Sequence, residues 1–162
     1  VNEFKKLGQL PDDLVVKVSV QMGQANPVSI KLIEGIGAGT FNVPTDLTLA
    51  QLSAIRQAIE IPIDVYVEVP DDLGGFIRHY DIMEIIRVAA PVYIKFGLRN
   101  APNIYPSGTH LEETSIALSK ERVRRARIGY EMIQRYAPNL KTTDLKTKRE
   151  GIPAEKSFSS LI

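Results

Sequence analysis

Four short runs rich in β-branched residues recur along this chain, and each is followed by a stretch with apolar residues at helical spacing. Residues 14–22 (LVVKVSVQM) alternate apolar and polar, the period of a strand. Asn26-Pro27 then supplies a helix cap and a first-turn proline. The spacing predicts a short helix burying Leu32, Ile33 and Ile36, closed by Gly35, Gly37 and Gly39. Residues 40–43 form the second strand. Thr48-x-x-Gln51 has capping-box spacing, and Leu52, Ile55 and Ile59 mark the helical stripe behind it. Residues 63–69 (IDVYVEV) are the clearest strand. After the Gly74-Gly75 turn come a helix with Ile82, Ile85, Ile86 and Ala89 inward and a fourth strand over Val92–Phe96. Thr109-x-x-Glu112 again has capping-box spacing and opens a long helix reaching about Tyr136.

Strands alternating with helices across short connections predict a parallel sheet with right-handed crossovers. The unit returns every ~25 residues, close to the tightest spacing such a crossover allows. The expected fold class is therefore α/β, a parallel sheet of consecutive βα units, TIM-barrel-like. A full barrel takes typically ~250 residues, and this chain has 162. The expectation is a partial barrel of four units over residues 1–138, completed by the remainder of a longer chain or by further copies in a homo-oligomer, with an open, doubly wound sheet as the alternative. Residues 139–162 lose periodicity and read as a polar tail or linker.

Composition removes several chemistries. There is no cysteine, so no disulfide, thiolate metal site or cysteine-ligated cluster can form within the chain, which fits a cytoplasmic location. The formal charge of +1 gives no global attraction to nucleic acid or an anionic membrane, and no apolar run is long enough to span a bilayer. Arg122, Arg124, Arg125 and Arg127 spread around the last helix beside Glu121 and Glu131, as expected of a solvated outer face rather than a nucleic-acid patch.

The strands carry one polar side, unusual for a parallel sheet covered on both faces. Asp64, Tyr66 and Glu68 oppose Ile63, Val65, Val67 and Val69; Tyr93 and Lys95 oppose Val92, Ile94 and Phe96; Asn42 opposes Phe41 and Val43. Period-two alternation places Glu68, Lys95 and Asn42 on one face near the carboxyl ends of neighbouring strands, where barrels build their sites. Glu68 and Lys95 are the catalytic candidates. They supply a carboxylate for acid–base work and an amine for a Schiff base, unless they are simply a structural ion pair. Glu68 with Asp71 or Asp72 offers oxygen ligands for a divalent metal. The long loop after the fourth strand adds Arg99, Asn100, Tyr105 and His110, with Asn42, as substrate-binding candidates.

The stretches GIGAGTFNVPTDLTLAQLSAIRQAIEIPIDVYVEVP and VYIKFGLRNAPNIYPSGTH, within residues 35–139, resemble the TIM-barrel portion of the collagenase-like bacterial peptidase family. The resemblance covers about two thirds of the chain and lies mostly in the style of the βα units. It implies a barrel with its site at the carboxyl mouth and a peptidase-like enzyme acting on a small or peptide-like substrate. The family's stretch with a glutamate, a histidine–glycine pair and a downstream cysteine has no counterpart here, so no catalytic residue carries over. The residues themselves leave two alternatives: a lyase or aldolase using Lys95, and a non-catalytic ligand-binding or assembly module.

Overall fold

The computed structural model describes residues 1–143. A short helix α1 (Asn2–Lys6) precedes four βα units: β1 (Lys17–Val18), α2 (Pro27–Gly35), β2 (Thr40–Asn42), α3 (Leu49–Ala58), β3 (Ile63–Glu68), α4 (Ile82–Ala89), β4 (Val92–Phe96) and α5 (Glu112–Tyr136). The strands lie in the order β1-β2-β3-β4, every pair parallel. Val18, Asn42, Tyr66 and Ile94 thus fall on four successive neighbours, as the short crossovers require. Sequential order with one handedness puts every crossover on the same side. Accordingly α2 packs on α3, α3 on α4 and α4 on α5, in one helical layer. Among the described residues the sheet is not closed: β1 and β4 each pair along one edge only.

The core fills the space between sheet and helices. Phe41, Val43, Ile63, Val65 and Val67 meet Ile30, Leu52, Ile55, Ile59, Ile82, Ile85 and Ala89, nearly all fully buried. Truncating a filled position such as Phe41 to alanine costs about 3–5 kcal/mol in such cores. Local signals set several boundaries. Asn26 Oδ1 accepts from the Ser29 N–H at 3.0 Å, with Pro27 in the first turn. Thr48 and Gln51 form the complete capping box. Glu34 spans units: its carboxylate accepts the backbone N–H groups of Glu60 and Ile61 at 2.6 and 2.9 Å, and Lys31 pairs with its other oxygen. Burial pushes the Glu34 carboxyl up, but Lys31 and these two N–H groups together outweigh it, and the net shift is downward.

Three expectations from pattern are corrected. The first strand spans two residues, not nine, because the Ser19 hydroxyl accepts the Gln21 N–H and starts a 3-10 turn (Val20–Met22) that Gly23 closes in the left-handed region. In α2 the buried residue is Ile30, with Ile33 half-buried; Leu32 and Ile36 are exposed. Thr109 and Glu112 form no capping box: residues Thr109–Leu111 make a 3-10 turn and α5 starts after it without a side-chain cap. The expected tail from 139 lies mostly outside the described residues. Within them, Leu140 packs against the core.

Candidate functional site

The helix-free face of the sheet carries its polar side chains in two levels. At the amino-terminal level, register sets Lys17 beside Thr40, Asn42 beside Asp64, and Asp64 beside Tyr93. Lys17 Nζ lies 3.2 Å from Asp64 Oδ1 and 4.8 Å from the centre of the Tyr93 ring. The Asp64 side chain is 3% exposed and that of Lys17 40%. Asp64 Oδ2 and Thr40 Oγ1 are buried with no hydrogen-bond partner among the described residues.

At the next level, Tyr66 pairs in register with Lys95. Lys95 Nζ sits 4.4 Å from the centre of the Tyr66 ring, within cation–π range. Hydrogen bonding orients the Asn42 amide so that its nitrogen donates to the Asp64 carbonyl at 3.1 Å and its oxygen accepts from Lys95 Nζ at 2.9 Å. Asn42 is buried and Lys95 half-buried. Asn42 thus ties the two levels together, joining the backbone of one carboxylate residue to the ammonium of the next level.

Glu68 is not part of this face. Register shifts between Tyr66 and Glu68, so that Tyr66 faces Lys95 but Glu68 faces Phe96, a residue of the core side. The extra residue, Val67, interrupts the alternation and turns Glu68 toward the helices. There Glu68 Oε2 lies 3.4 Å from His79 Nε2 and 3.9 Å from an Arg125 nitrogen on α5. His79 packs edge-on against Phe96, and Arg125 is held from the other side by Glu121 at 2.7 Å. The end of β3 is fixed by a neighbouring segment, with Arg78 donating to Val67 and Val69 to Phe76. The expected convergence of Glu68 with Lys95 and Asn42 is therefore corrected: the carboxylate and the ammonium lie on opposite sides of the sheet.

The loop candidates also separate. Asp71 pairs with Arg99 at 3.6 Å and accepts the Asn100 N–H at 2.5 Å, so these three brace one loop against another. Asn100 sits in the left-handed region at φ 52°, which asparagine tolerates. Tyr105 is 78% exposed, and His110 is exposed with its ring folded against Gly108. Of the metal-ligand candidates, Glu68 lies beside His79 and Arg125, and Asp71 is engaged by Arg99 and Asn100. Among the described residues no three histidine or carboxylate side chains are grouped for a metal ion.

Sequence reasoning found Asn42, Tyr66 and Lys95 on one face but passed over the roles of Lys17, Thr40 and Asp64. The signal was present, because Asp64 shares parity with Tyr66 and Lys17 has a strand position. Comparison with protein-family models, curated proteins and solved structures finds no match to this chain.

Proposed function

We propose that this chain is a ligand-binding α/β unit that takes a small carboxylate-bearing molecule on the helix-free face of its sheet, anchored by Lys95. One observation carries the reading: the Lys95 ammonium is held by an amide oxygen and a ring face, neither of which neutralises its charge. A half-buried ammonium in that setting retains strong attraction for an anion, and a charge-assisted bond to it is worth more than in open water. The test is a titration with butyrate followed by amide NMR. Saturable shifts in the Asn42 side-chain signals, lost in Lys95→Met, are expected. Shifts that never saturate, or that persist unchanged in Lys95→Met, would overturn the reading.

The sequential strand order, the single helical layer and the two edges left unpaired among the described residues support treating this unit as part of a barrel that other strands complete. A peptidase-like mechanism using Glu68 beside Lys95 has less support, because the two side chains are separated by the sheet. The lysine lyase reading keeps a specific support, since no carboxylate is needed to hold Lys95 in place. In it the amine condenses with a ligand carbonyl, releasing water and leaving an imine. Borohydride reduction in the presence of pyruvate would then fix the ligand covalently to Lys95, and an unmodified Lys95 after that treatment would remove this alternative.

A further inference from the structure

The amino-terminal level of the same face has an unmet demand. Asp64 Oδ2 and Thr40 Oγ1 are buried polar atoms without partners among the described residues, and buried oxygens of this kind are rare because each costs free energy. Asp64 is a carboxylate with one oxygen engaged, by a lysine that is itself 40% exposed. Lys17 is therefore a replaceable cap: its ammonium has water to return to, whereas Asp64 does not. The missing partner is an N–H donor, and a positive one suits an ionised carboxylate best.

Resting on the reading of Lys95 as a carboxylate anchor, we infer that the ligand is a small ω-amino carboxylate whose ammonium binds Asp64 and Thr40 in place of Lys17. The two charged subsites are one strand repeat apart. Asp64 and Tyr66 are two residues apart on β3, roughly 7 Å, and Lys95 lies beside Tyr66. A short chain with opposite charges at its ends fits that spacing. Asn42 bridges the subsites and keeps the ammonium of Lys95 aimed at one end of the ligand while Asp64 receives the other. The face then accepts a zwitterion with no net charge change, because Asp64 and Lys95 are complementary to its two ends.

The experiment compares 4-aminobutyrate, butyrate and butylamine by calorimetry and by the Asn42 side-chain signals. The wild-type protein binds 4-aminobutyrate roughly tenfold more tightly than butyrate, the worth of one charge-assisted hydrogen bond. Asp64→Asn brings that ratio to about one while leaving butyrate binding within about twofold, because the anchor at Lys95 is untouched. Thr40→Val, which preserves shape, lowers the ratio in part. It also decides the matter if Asp64→Asn does not fold by circular dichroism. Should butyrate bind as tightly as 4-aminobutyrate to the wild-type protein, or should the ratio survive both substitutions, the inference is wrong and the Lys95 site stands. Should neither compound bind, the Lys95 site falls with it.

Discussion

Asp64 and Glu68 sit four residues apart on one strand and are equally buried, at 2% and 1% exposure, yet they do different things. Each leaves one oxygen without a hydrogen-bond partner among the described residues, Oδ2 of Asp64 and Oε2 of Glu68, but Asp64 faces the helix-free side, capped by an exposed lysine. Glu68 faces the helical layer, where a histidine from the segment before α4 and an arginine from α5 close around it. Burial alone therefore does not mark a functional carboxylate. What distinguishes the two here is the side of the sheet and the exposure of the partner. Glu68 has a nearly buried histidine and a half-buried arginine beside it, so it reads as part of the contact with α5. Asp64 has a partner that can leave.

The largest effect expected from this contrast is on Glu68. Glu68→Ala empties a buried position beside His79 and Phe96, while Arg125 keeps Glu121, and should lower unfolding stability by about 2 kcal/mol, measured by urea denaturation. A loss no greater than that of an exposed pair would mean that Glu68 is not part of that contact. Next comes Gly129, where a Cβ would meet the Phe96 ring at 2.5 Å. Gly129→Ala should push α5 off β4 at a cost of about 2 kcal/mol. It should also raise hydrogen exchange through residues of α5 while leaving the Asn42 signals in place. Coupled changes on both sides of the sheet would show that the two faces are not independent.

Asp64→Asn should cost about 1 kcal/mol or less, because Lys17 regains water when its partner is lost. An equal loss for Asp64→Asn and Glu68→Ala would dissolve the comparison. The smallest effect is a pH dependence on the helical side. Arg124 and Arg125, both bonded to Glu121, hold its carboxyl down at about 2. A carboxyl with a lowered folded value contributes stability that is fully present above its unfolded value near 4.5 and is lost as pH falls toward about 2. Glu121→Gln should flatten the acid limb of the stability curve over that window. An unchanged limb would show that the α5 ion pairs are surface ornaments exchanged freely with water.

Much of the fold was legible because its signals are local. The Thr48–Gln51 box, the Asn26-Pro27 start and the stripe at Leu52, Ile55 and Ile59 each depend on residues within one or two turns of one another, and each is formed. Signals that compete locally were misread. Residues 14–22 alternate like a strand, yet the Ser19 hydroxyl and Gly23 divert the chain into a turn. The candidate site was half legible for the same reason. Tyr66, Lys95 and Asn42 share a face wherever alternation runs unbroken, and the register keeps them together.

By itself, then, the amino-acid pattern determined the order and direction of the strands and the existence of a polar face, since period and connection length are properties of contiguous residues. Tertiary structure alone decided which carboxylate belongs to that face. The bulge at Val67 depends on the segment that pairs with the end of β3, where Arg78 and Phe76 bond to Val67 and Val69. It depends also on Gly97, whose N–H donates to the Glu68 carbonyl and whose missing side chain makes room for Pro70. These contacts join residues from seven to twenty-nine positions apart, and one inserted residue reverses the side to which a strand residue points. No count of alternating residues along β3 contains that information, because the register of a strand is set by its neighbours.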